Sequence, residues 1–196
     1  TMTIQPEDSK QQRVVAVLNY LDNLDEIPVF AQSDKAGESI RVNDNRAPRD
    51  MPIINARLLP QTFSLDVEGF TLSEQVTNVT DFNDDEQLTN TYAREIESLI
   101  AAAAGGSAAV VFDHTRRSTD LAHREKYASR DPVPAPHSDY TDASAFQRMR
   151  DKFGDEEAEE RLTRRFSIVN AWRSMSGTLE QWPLTVCDAR TINNLN

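Results

Sequence analysis

His137 and Asp139 set a neutral nitrogen ligand and a carboxylate two positions apart, within Pro132-Val133-Pro134-Ala135-Pro136-His137-Ser138-Asp139-Tyr140-Thr141. In an extended chain, side chains alternate between faces. The two therefore point the same way, roughly 6.5–7 Å apart along the backbone, and their tips can converge on one ion. A 2-His-1-carboxylate facial triad uses such a pair on one face of Fe(II) and leaves the opposite face open for a co-substrate and O2. The prolines before it favour an extended entry, because each restricts the residue preceding it. Spacing alone has low specificity. With 32 acids in 196 residues, about one His in six has an acid two places on by chance. His123-Arg124-Glu125 repeats the pattern, but it sits in the charged run Leu121-Ala122-His123-Arg124-Glu125-Lys126-Tyr127, which lacks strand alternation and reads as a solvated loop or short helix.

The elements that would hold this pair can be read in part. Residues 84–104 form the clearest helix: Leu88, Tyr92, Ile96, Leu99, Ile100 and Ala103 recur at three- and four-residue intervals, acids crowd the start, and Gly105-Gly106 end it. Residues 143–153 and 155–161 are also helix-like, and the acids of the second predict a solvated face. Strand patterns occur at 63–70, 108–112, 166–173 and 184–190, where apolar residues alternate with polar ones or form short runs. The run Val14-Val15-Ala16-Val17-Leu18 fits either a buried strand or a helical turn. Residues 1–10 read as a mobile polar lead. Residues 22–60, rich in Asn, Asp, Pro and Arg, read as irregular covering structure. The 118–136 stretch is long enough to be a functional lid. Strands carrying His137, Asn170 and Asp188, with helices before and between them, give an α+β class whose β part is a jelly roll.

Composition narrows the partners. A net charge of −11, with no basic block, disfavours nucleic acid. The longest apolar run, 99–104, is far too short to span a bilayer, so a cytoplasmic protein with no membrane partner is expected. The single Cys187 excludes an internal disulfide and a Cys-rich zinc site. A homodimer is the default expectation for a soluble oligomer.

Four blocks then occur in order: Val111-Phe112-Asp113-His114-Thr115-Arg116-Arg117; Pro132-Val133 leading into His137-Ser138-Asp139-Tyr140-Thr141; Arg165-Phe166-Ser167-Ile168-Val169-Asn170-Ala171-Trp172-Arg173; and Pro183-Leu184-Thr185-Val186-Cys187-Asp188-Ala189-Arg190. Together with Phe63-Ser64-Leu65-Asp66 and Gly69-Phe70 upstream, they resemble the non-haem Fe(II)/2-oxoglutarate-dependent hydroxylase and desaturase family of fungal secondary metabolism. That family includes enzymes similar to the aspergillic acid hydroxylase, the gibberellin desaturase, the cephamycin 7-hydroxylation component and the meroterpenoid endoperoxide synthase. The resemblance covers most of the chain from about residue 55. It implies a double-stranded β-helix (a cupin-like jelly roll with flanking helices), Fe(II) and 2-oxoglutarate as cofactors, and His137 and Asp139 as two of three protein ligands to iron. It also implies a second histidine and a 2-oxoglutarate-binding arginine later in the chain. No histidine follows His137, and the expectation is a single oxygenase domain over 1–196 that lacks its C-terminal strands. The sequence departs from the family at Arg173-Ser174-Met175, where relatives have proline after the arginine.

The expected activity is oxidation of a small, largely apolar intermediate, such as a terpenoid or meroterpenoid, by O2. Hydroxylation, desaturation and endoperoxide formation share one oxidant and are not distinguished. Arg173 and Asn170 are candidates for co-substrate binding. Arg116, Tyr127, Tyr140 and Trp172 are candidates for the pocket or lid. The bland alternatives are that Arg116 and Arg173 are ion-paired with some of the many acids, that Trp172 is core, and that His114 makes a structural hydrogen bond. Asp188 and Arg190 share a face and are expected to pair. Two other classes compete: a non-catalytic cupin-like accessory protein that binds a metabolite or partner enzyme, and a zinc-dependent hydrolase.

Overall fold

The apolar run at 14–18 forms strand β1 (Arg13–Leu21), as its β-branched content favours. The computed structural model describes residues 13–22, 29–32, 39–42 and 45–192; the polar lead 1–10 lies outside them. Within 22–60 the structure corrects the expectation of irregular cover. β2 (Val29–Gln32) and β3 (Ser39–Val42) pair antiparallel, Val29 opposite Val42. β4 (Arg46–Ile54) pairs antiparallel with β1, Val14 opposite Ile53 and Leu18 opposite Arg49. Pro48 and Pro52 hide β4 in the sequence. In a two-stranded ladder every strand is an edge, and an edge tolerates proline. Asp22 N–H donates to the Asn45 carbonyl at 3.0 Å and Arg49 pairs with Asp22 at 3.1 Å, closing that end of the ribbon.

The predicted helix at 84–104 is present with one irregularity. It comprises α1 (Asp85–Gln87), a π-helical turn (Leu88–Tyr92) and α2 (Ala93–Ala103). The Asp84 carboxylate accepts from the N–H groups of Glu86 and Gln87, satisfying two orphan donors of the first turn. Gly105, at φ +62°, ends it. The apolar face buries Leu88 and Ile96 near Val79, which are three of the five buried apolar residues described, Ala135 and Ala158 being the others.

Glu95 ties α2 to the preceding segment. It accepts from the Thr77 hydroxyl at 2.5 Å, the Asn78 N–H at 2.9 Å and the Asn78 side-chain amide at 3.0 Å. The Thr77 hydroxyl foremost, then the Asn78 N–H, hold its carboxyl below the ordinary carboxylate range, with the Arg173 charge a smaller contribution and partial burial opposing. A lowered folded pKa stabilises above the unfolded value and is lost as pH falls through the folded one. Wild type should therefore lose more urea stability than Glu95→Gln between about pH 7 and about pH 3. Equal slopes in the two proteins would contradict this role.

α3 (Leu121–Tyr127) is a short helix capped by Asp120, inside the stretch expected to be a lid. The ends of that stretch are clasped: Arg117 and Arg130 form a parallel bridge, with Arg130 N–H on the Arg116 carbonyl at 2.8 Å and Ser118 N–H on the Arg130 carbonyl at 2.9 Å. α4 (Asp142–Phe153) begins at a capping box between Thr141 and Ser144 and turns at Gly154 into α5 (Asp155–Leu162). Gly154, at φ +76°, makes that sharp reversal possible. Ala158 is fully buried. The acids of α5 face solvent, where Glu157 pairs with Arg161 and Glu159 with Arg150.

The other strand patterns behave differently. Residues 65–68 form a turn, with Glu68 N–H donating to the Ser64 carbonyl at 3.1 Å, so Phe63 and Phe70 stack at 4.7 Å rather than lying along a strand. Residues 189–191 close into a 3-10 turn (Ala189–Thr191) where the last strand was expected to continue. The two corrections are linked. Ala189 N–H donates to the Glu68 carbonyl at 2.9 Å, Arg190 pairs with both Asp188 and the buried Glu68, and Gly69 (φ +80°) lies where a Cβ would stand 3.2 Å from that of Ala189. Asp188 and Arg190 thus pair as expected, and Arg190 depresses the Asp188 carboxyl. Residues 108–112 and 166–173 carry no ladder among the described residues; ring contacts seat them, Phe112 on Tyr140 and Phe166 on Phe146.

Candidate metal centre

The proline-rich approach ends in a bend at Ala135, which is buried, and the chain then presents His137 and Asp139 before the Thr141 cap of α4. The His137 ring donates its Nδ1–H to the Ala135 carbonyl at 2.9 Å. A carbonyl can only accept, so Nδ1 carries a proton, and in the neutral ring the lone pair then lies on Nε2. His137 Nε2 lies 3.3 Å from Asp139 Oδ1, and the two side chains are 46% and 45% exposed. That separation exceeds the roughly 2.7–2.9 Å of a charge-assisted hydrogen bond. It is close to the about 3.0 Å between two donors at right angles on a six-coordinate ion with bonds of about 2.1 Å. The other carboxylate oxygen, Oδ2, receives the Asn170 side-chain amide at 2.6 Å.

A groove of about 510 Å³ opens beside Asp139, between the first turns of α4 and residues 166–170. Tyr140, Phe146, Phe166, Ile168 and Asn170 are among its lining residues. It therefore joins an apolar wall to the Asp139 carboxylate.

Asn170 and Tyr140 are thus brought to the His137–Asp139 pair or its groove. The other candidates are engaged elsewhere. Arg116, nearly buried, donates to the carbonyls of Phe82 and Asn83 and pairs with Asp85 at 2.8 Å, which is the ion-paired alternative; His114 lies 3.9 Å from the same carboxylate. Arg173 packs its guanidinium over Phe82 and Tyr92, centroid distances 5.1 and 5.8 Å. Burial raises the Tyr92 pKa and the Arg173 charge opposes that rise. Tyr127 stacks on His123 at 4.8 Å with Lys126 over its ring, and Trp172 is 47% exposed rather than core. His123 has both nitrogens in use, on Asn83 Oδ1 at 2.9 Å and Ser129 Oγ at 3.0 Å, so it is structural, whereas the identically spaced His137 has its Nε2 turned to Asp139.

Arg117 escaped the sequence reading. Partial desolvation first, then the neighbouring Arg130 charge, lower its pKa, and the Asp139 charge opposes them weakly. Its side chain donates to the Asp131 carbonyl at 2.8 Å. Adjacent arginines on a non-helical segment aim in different directions, and the sequence offers no means of choosing which of Arg116 and Arg117 takes Asp85.

Residues 18–196 match the family model described as an oxidoreductase/YMDC permease-like domain. The chain belongs to that oxidoreductase family. It is 30% identical over 134 residues to the alpha-ketoglutarate-dependent dioxygenase phiK of Fungal sp., covering 66% of this chain and 48% of that protein. It is 28% identical over 169 residues to the Fe(II)/2-oxoglutarate-dependent dioxygenase nvfI of Aspergillus novofumigatus, covering 83% and 59%. It is 29% identical over 155 residues to the hydroxylase/desaturase CTB9 of Cercospora beticola, covering 74% and 48%. The chain therefore spans about half the length of the curated relatives it matches. No solved structure matches it. The resemblance to fungal Fe(II)/2-oxoglutarate-dependent oxygenases holds at the level of the family.

The donor set fits two positions of an Fe(II) site: one imidazole in the ligand tautomer and one carboxylate with a free oxygen. Among the described residues no group of three His, Cys, Asp or Glu gathers around an ion-sized space. No helix among them is long and apolar enough to cross a membrane.

Proposed function

We propose that the protein is an Fe(II)/2-oxoglutarate-dependent dioxygenase that oxidises a small, largely apolar secondary-metabolite intermediate, of terpenoid or meroterpenoid type. The observation that carries this reading is the 3.3 Å approach of His137 Nε2 to Asp139 Oδ1, with Nδ1 already committed to Ala135. Family membership and the names of the relatives support it.

His137 and Asp139 hold the metal through one nitrogen and one oxygen. Fe(II) with 2-oxoglutarate supplies the oxidation: O2 and the co-substrate give succinate and CO2, and one oxygen atom's oxidising equivalents pass to a C–H bond of the substrate. The groove beside Asp139 receives the substrate, its Phe146, Phe166 and Ile168 surfaces taking an apolar skeleton out of water and holding one C–H face toward the ligand pair. The stretch 118–136, clasped at the 117–130 bridge, is the lid of this reading, although none of its residues lines the groove. The reading includes the double-stranded β-helix, with residues 108–112, 166–173 and 184–188 as strands; Phe166 and Ile168 are partly buried and Ser167 exposed, but Val169 is partly buried and Asn170 exposed, so the alternation runs for three residues only.

The test is anaerobic Fe(II) titration of the purified protein, followed by succinate measurement on adding 2-oxoglutarate and O2. Stoichiometric metal binding and succinate formation are expected. Metal or metabolite binding without succinate would favour the cupin-like accessory reading, and O2-independent hydrolysis with zinc would favour a hydrolase.

A further inference from the structure

We infer that Asn170 is a positioning residue, which sets the orientation of the Asp139 carboxylate and thereby confines it to one-oxygen ligation; the inference rests on the metal reading above. A carboxylate offers two equivalent oxygens and can swing, or bind an ion through both. Here the two oxygens of Asp139 are made unequal. Oδ1 faces His137 Nε2 at 3.3 Å, and Oδ2 takes the Asn170 amide at 2.6 Å. An ionised carboxylate has no proton to give, so the atom facing it must be the amide nitrogen, which fixes the Asn170 flip by chemistry. With Oδ2 engaged, rotation that would exchange the oxygens breaks this bond, and a single oxygen is left for the ion beside His137. Keeping Asp139 to one coordination position leaves more of the shell open, as a facial arrangement that also admits a co-substrate and O2 requires.

Two contacts hold Asn170 in place for this task. Phe166, four residues earlier, meets Phe146 of α4 edge-to-face at 5.5 Å. Arg173, three residues later, lies over Phe82 and Tyr92 at the π-helical turn. The segment bearing Asn170 is thus pinned on both sides, while Asn170 itself is exposed. Substitution there removes the amide without opening a cavity.

The experiment is Co(II) titration of wild type, Asn170→Leu and Asn170→Gln, following the affinity and the d–d absorption bands, with thermal unfolding of the metal-free proteins alongside. Leucine keeps the branch at Cγ and removes the donor; glutamine keeps a donor on a longer arm. Asn170→Leu should bind Co(II) about 10–100-fold more weakly, the usual cost of losing a ligand's outer partner. Its bands should change shape as Asp139 gains freedom, while the metal-free melting temperature stays at the wild-type value. Asn170→Gln should recover part of the affinity. Wild-type affinity and bands in Asn170→Leu would overturn the positioning role and leave the metal reading standing. Absence of Co(II) binding by wild type would overturn both.

Discussion

His137→Ala and Asp139→Ala are each expected to lose Fe(II) binding by well over about 100-fold, beyond the range seen for outer-shell partners, and with it 2-oxoglutarate-dependent succinate formation. Each substitution removes one of the two donors that converge here and so breaks the pair on which the site is built. His123→Ala is the internal control, because its spacing to Glu125 is the same. It should keep metal and turnover and lose about 1–2 kcal/mol of stability, since Asn83 Oδ1 and Ser129 Oγ are left partly unsatisfied. Anaerobic titration, succinate yield and urea midpoints measure all three proteins together. Loss of iron from His123→Ala to the same extent would move the site to the wrong pair.

This contrast marks where the sequence speaks. The approach of His137 to Asp139 is a local property of two residues two apart, and their spacing pointed to it, although the chain bends at Asp139 instead of running on as an alternating strand. That His123 belongs to a structural bond network depends on Asn83, 40 positions away, and only its charged surroundings hinted at it. The helices were legible for the same local reason: Asp84 as cap, the three- and four-residue apolar recurrence, and Gly105 as stop are all written within one segment. The π-helical turn inside it left no signal. Pairing was not legible, because a ladder partner lies elsewhere in the chain: β4, with two prolines, read as loop yet pairs with β1, while 63–70, with perfect alternation, turns back at Glu68 to meet Ala189. Asn170 stands out in the sequence as a candidate for co-substrate binding, but its bond to Asp139 spans 31 residues and leaves no local trace.

Ile96→Ala should cost about 2–4 kcal/mol, the range for truncating a buried aliphatic side chain, read as a lower urea midpoint at an unchanged slope. The expectation follows from how few residues are buried. Ile96 is 8% exposed, on the face of α2 opposite the water-facing Arg94 and Ser98, and it shares the buried set with Leu88, about two turns earlier, and Val79. Glu95, the neighbouring residue, is what holds the 77–78 segment against this helix. A cavity at Ile96 therefore weakens both the apolar contact and the platform from which Glu95 binds Thr77 and Asn78, and Tyr92 with its Arg173 contact sits one turn away on the same helix. Since Arg173 borders the segment that carries Asn170, Ile96→Ala should also loosen metal binding by a few-fold, far less than Asn170→Leu. Ser98→Ala, which gives up only a back-bond to the Arg94 carbonyl, should stay within about 0.5 kcal/mol of wild type. If Ile96→Ala and Ser98→Ala unfold at the same midpoint, α2 does not anchor the fold, and the coupling from helix to metal-bearing segment goes with it.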